Sequence, residues 1–148
     1  MKYTEGKTGR VLIARFDDGE DFISAMNKLV SDTSLESAVI FFLGALRSGE
    51  VVAGPVADTI PPVPHWVHFD GAWEVVGIGT LFQSDEGPML HLHGSIGRGR
   101  DTLVGCLRKI AEVFLVVEVV ILEILGTDAE RVLDARSAHY LLDPSPHE

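Results

Sequence analysis

Apolar positions along this chain recur mostly in short blocks rich in β-branched residues, and only once at helical spacing. Arg10 to Phe16 (RVLIARF) reads as a strand that stops at the turn signal Asp17-Asp18-Gly19. From there Phe22, Ala25, Met26, Leu29 and Val30 fall at i, i+3, i+4, i+7 and i+8, one face of an amphipathic helix. Glu20 and Asp21 complement the dipole at its start, and Asp18 is the expected N-cap. Ser37 to Leu46 (SAVIFFLGAL) has no helical period, and Glu50 to Ala53 continues it after Ser48-Gly49, which predicts a hairpin.

Pro55, Pro61, Pro62 and Pro64 remove backbone donors, so 55–71 is expected to be an extended, exposed loop. Glu74 to Phe82, Pro88 to Gly94 and Thr102 to Leu107 read as strands separated by turns at 84–87 and 97–101. Val113 to Leu125 is a further long strand or two with a bend, and Ala138 to Leu142 closes the sheet. Short turns favour antiparallel pairing. The pattern predicts a single compact α+β domain over 9–142, a mostly antiparallel sheet with one main N-terminal helix packed on it. Residues 1–8 and 143–148 are expected to be flexible termini. A single helix covers one side of the sheet, so the other side must meet water, a second sheet or a partner chain.

Length and charge narrow the function. A chain of 148 residues suffices for one core without a staple, and 46% hydrophobic residues is consistent with a buried subunit interface. Twenty-two acidic against 12 basic residues, a formal net charge of −10, repel phosphate backbones and disfavour unaided DNA binding. The longest apolar run, Val113 to Leu125, is too short to span a membrane and contains Glu118 and Glu123. The N-terminus has no apolar signal core, and one cysteine excludes an intrachain disulfide, so a cytoplasmic location is expected.

The chemistry concentrates in Leu90-His91-Leu92-His93 and Gly105-Cys106-Leu107. On a strand, His91 and His93 share a face about 6.6 Å apart. Cys106, the only thiol, is the third donor if a turn brings its strand alongside. Read from the residues alone, the alternatives are a metal site, two strand histidines beside a buried thiol, or a thiol nucleophile activated by a histidine. Arg98, Arg100, Arg108, Glu118 and Glu123 are candidate helpers or anion contacts, with solvated charge or subunit ion pairing as their default role. Arg108 would share the face of Cys106 if the strand continues. His65 and His68, beside Trp66 and Trp73, form a surface patch or a loop packed over a neighbouring subunit or small ligand. His139 is expected in a strand and His147 in the tail.

The order of GRVLIARFDDGE at 9–20, FLGAL at 42–46, EVVGIGTL at 74–81, PMLHLH at 88–93, GCL at 105–107 and EVVILEI at 118–124 resembles the PPC (plants and prokaryotes conserved) domain. In plants that domain follows AT-hook motifs. The resemblance implies a compact homotrimer, a metal bound by histidines in some prokaryotic members, and a DNA-associated or regulatory role through assembly and partner contacts. The stand-alone prokaryotic pattern has Gly-Gly-His where this chain has Val104-Gly105-Cys106. Cysteine in that place keeps three donors at His91, His93 and Cys106 and suits Zn²⁺. Three donors leave a position open to water or substrate, so the alternative reading is a zinc-dependent enzyme acting on a small molecule near a subunit interface. Gly97-Arg98-Gly99-Arg100 looks like half an AT-hook, but no proline follows and Asp101 comes next, so a glycine turn is the simpler expectation.

Overall fold

The computed structural model describes residues 1–144. Its elements run β1 (Lys7–Asp17), α1 (Phe22–Thr33), β2 (Ala38–Pro55), β3 (Pro64–Ser84), β4 (Gly87–Arg98), β5 (Asp101–Leu125), β6 (Glu130–Asp134) and β7 (His139–Asp143). They form a seven-stranded sheet ordered β1-β5-β2-β3-β6-β7, with β4 paired to both β3 and β5, so that β2, β3, β4 and β5 close on themselves. Pairing is antiparallel except for one parallel bridge, Gln83 to Glu130. This is the expected α+β domain.

The helix follows its apolar period, burying Phe22, Met26 and Val30. Its cap differs from expectation. Asp21, not Asp18, accepts from the Ser24 N–H at 2.9 Å and from the Ala111 N–H at 3.0 Å, fastening the helix start to β5. Asp18 instead accepts from the Leu115 N–H and from Arg47. A turn between the first strand and the helix leaves Asp18 too far upstream to reach the helical donors.

Three strands are longer than the sequence suggests. The hairpin expected within 37–53 is a single strand, because Ser48 and Gly49 stay in register with Asp70 and Phe69. A Cβ on Gly49 would stand 2.6 Å from the Ile110 carbonyl, so glycine here admits a crossing strand and does not turn the chain. The proline segment is irregular only before Pro64; His65, Trp66 and His68 lie in β3, with Trp66 and His68 opposite Val52 and Glu50. The strands expected at 102–107 and 113–125 are one, β5, carried past its register shifts by pairing with β2 on the way. β6 was not anticipated.

The buried core lies between α1 and one face of the sheet, where Phe22 and Met26 meet Phe16, Ile40, Phe42, Val119 and Ile121. The opposite face carries a cross-strand row, Ile13, Val120, Phe41, Ile78, His93 and Cys106, each registered on the next. Apart from buried Cys106 its members are exposed, and so are Val11, Leu43, Val76 and Val104 on neighbouring rows. A monomer rarely leaves so much apolar sheet in water.

Candidate metal centre

Register brings the three predicted donors together. His93 pairs with Cys106 across β4 and β5, and His91 lies two residues from His93 on the same face. Leu92, between them, is buried in the core and fixes which way the imidazoles point. Gly105 is needed beside Cys106: a Cβ there would lie 2.4 Å from the Val52 carbonyl oxygen of β2.

The histidine Nε2 atoms are 3.0 Å apart. One nitrogen from each ring and Cys106 Sγ all lie within 4.8 Å of one another. A tetrahedral zinc with two nitrogen ligands and one sulfur requires donor separations of about 3.3–3.6 Å, within about an ångström of this arrangement. Partial desolvation, assisted by the positive charges of Arg131, His93 and Arg108, lowers the His91 pKa from 6.5 to about 4. At neutral pH that imidazole is uncharged, the form that ligates metals. Donor chemistry and spacing fit Zn²⁺.

Arg108 is placed as its spacing suggests. Its Nε donates to Cys106 Sγ at 3.2 Å, which balances the charge a ligating thiolate brings. The other candidate helpers lie elsewhere. Arg98 donates to the Asp70 carbonyl, Arg100 sits on the tight turn between β4 and β5, and Glu118 is opposite Arg15 and Leu43 on the exposed face. Glu123 is engaged by Arg10. Lys109 stacks on Trp66, and Trp73 donates to the Asp70 carbonyl.

Sequence reasoning missed Arg131. This β6 residue is only 6% exposed, donates to Thr80 Oγ1 at 2.8 Å, and leaves its own buried Nε without a partner. Burial lowers its pKa, opposed by the nearby Cys106. Arg131, Arg108, His91 and Cys106 border a cleft of about 500 Å³, whose other walls include Leu90, Met89 and, from β7, His139 and Tyr140. The β7 strand expected at the chain's end is therefore a wall of the site. His147 lies outside the described residues.

No helix among the described residues is long and apolar enough to cross a membrane. Among solved structures, a metal-containing protein from Archaeoglobus fulgidus superposes with a TM-score of 0.84 at 25% identity, covering 95% of this chain and 98% of that one. A plant- and prokaryote-conserved (PPC) protein from Pyrococcus horikoshii gives 0.81 at 22%, with 95% and 96% covered. A candidate DNA-binding protein from Bacteroides thetaiotaomicron gives 0.77 at 19%, with 94% and 97% covered. No curated protein sequence matches the chain significantly. The family model of the Plants and Prokaryotes Conserved (PCC) domain matches residues 3–125, and the chain belongs to that family.

Proposed function

We propose that this chain is a zinc-binding PCC-domain protein that acts in the cytoplasm as a homotrimer, through assembly and contacts with a DNA-associated or regulatory partner. The observation that carries the metal is the convergence of His91, His93 and Cys106. The description of the Archaeoglobus relative as metal-containing supports it. Self-association is supported by the exposed apolar row, and the number three comes from the family resemblance. The protein does not grip DNA by itself: its net charge is −10, and Arg98-Gly99-Arg100-Asp101 forms a two-residue turn in place of a cationic arm.

A zinc-dependent enzyme acting on a small molecule is the second reading, favoured by the cleft that opens on two of the three donors, His91 and Cys106. The described residues lining that cleft include no carboxylate to serve as a general base, which leaves His139 as the candidate.

Elemental analysis of purified protein should find about one zinc per chain, and His93→Ala should lose it, because two remaining donors hold zinc poorly. Full occupancy in that variant would overturn the site. Filter binding at physiological salt should detect no appreciable affinity for duplex DNA, and tight, salt-sensitive retention would contradict the charge argument.

A further inference from the structure

The chain has almost twice as many acidic as basic groups, yet two guanidinium groups at the cleft meet no carboxylate among the described residues. Arg10, Arg15 and Arg47 each meet a carboxylate. Among the described residues, Arg131 has only Thr80 and Arg108 only Cys106. Arg131 is the more telling of the two. A buried cation without a counter-charge is costly, and its unpartnered Nε adds to that cost.

We infer that the cleft is a receptor for a small organic acid, whose carboxylate is held by Arg131 and Arg108 and whose short apolar body lies against Met89, Leu90 and Tyr140. A guanidinium fork matches a carboxylate, and a single negative charge loses less hydration than a phosphate dianion against these apolar walls. A volume of about 500 Å³ falls in the range of small-molecule sites. The inference builds on the zinc reading for the open ligand position beside the acid, but the unpaired guanidinium of Arg131 exists with or without the metal.

Hexanoate, hexanamide and hexyl phosphate serve as probes, titrated calorimetrically into zinc-loaded and chelator-stripped protein. Hexanoate should bind the loaded protein at least about tenfold more tightly than the neutral, equally long hexanamide. Arg131→Met should keep its zinc and lose hexanoate affinity by about tenfold or more, without losing thermal stability, since replacing an unpaired buried charge by an apolar side chain is neutral or stabilising. Arg131→Lys, which keeps the charge but not the fork, should bind hexanoate several-fold more weakly than the parent.

Equal binding of acid and amide, unchanged hexanoate affinity in both Arg131 variants, or no binding of any probe overturns the inference. Tighter binding of hexyl phosphate overturns the choice of carboxylate. Failure to take up zinc would count against the metal reading alone, because Arg131-dependent hexanoate binding to stripped protein still decides for or against the receptor.

Discussion

Glu123 shows how a charge in an acidic chain acquires a structural task. Its Oε2 accepts from the Arg10 backbone N–H and Nε, each at 2.9 Å, and its Oε1 accepts from Nη2, which locks β1 onto β5. The Arg10 side-chain and backbone hydrogen bonds hold the carboxyl at about 2, against an ordinary 4.5. Because the folded value is depressed, this stabilisation is present above pH 4.5 and is lost as pH falls toward 2. Urea unfolding across that range should show Glu123→Gln less stable than the parent at pH 7, with the gap closing on acidification. A gap that stays constant down to pH 2 would refute the assignment. His91 titrates in a higher window, from 6.5 to about 4, which meets that of Glu123 only at its lower end and which the Glu123 variant leaves in place. Single-residue legibility was uneven. His91, His93 and Cys106 could be read because strand alternation fixes side, and the resemblance supplied the neighbouring strand. Arg131 could not: it sits in a short Glu-Arg-Val-Leu-Asp segment that looks solvated, and only its placement against Thr80 buries it.

At the scale of elements, the site depends on how closely β2 passes β5. Gly105→Ala would drive a methyl into the Val52 carbonyl, so it should cost about 1–3 kcal/mol and weaken zinc binding by displacing Cys106. Gly97→Ala is the control, since the nearest atom to its Cβ is the Asp101 carbonyl oxygen at 3.8 Å. Chemical denaturation and zinc competition with a chromogenic chelator should therefore separate the two variants; equal behaviour would show that the close approach is unimportant. The same crossing explains why strand lengths were hard to read. Ser48-Gly49 has turn composition, and the prolines before 64 obscure the start of β3, yet long-range pairing among β2, β3 and β5 extends all three strands. The helix, set by its own periodicity, was legible almost to the residue. Its cap was not, because the choice between Asp18 and Asp21 depends on the path of the preceding turn.

For the whole molecule, the exposed row of Ile13, Val120, Phe41 and Ile78 is the feature that a free chain would have to leave in water. Fully burying an exposed side chain of this kind stabilises by about 1.5–3 kcal/mol, and since Val120, Phe41 and Ile78 are already half-covered each would add a part of that to holding subunits together. If the chain assembles as proposed, Ile78→Glu should yield monomers by light scattering where the parent gives trimers, while far-UV circular dichroism stays unchanged, since Ile78 contributes nothing to the core beneath α1. A trimer that survives this change would place the interface elsewhere. The pairing of β1 with β5 also sets a clock. Lys7 meets Leu125 and Asp17 meets Val116, so β1, once synthesised, finds its partner only after about 100 further residues are made. At ordinary rates of synthesis that is on the order of 5–20 s, during which Val11 and Ile13 belong to a segment without its neighbour. Until then β1 is open to unwanted association, and completion of β5 ends that interval.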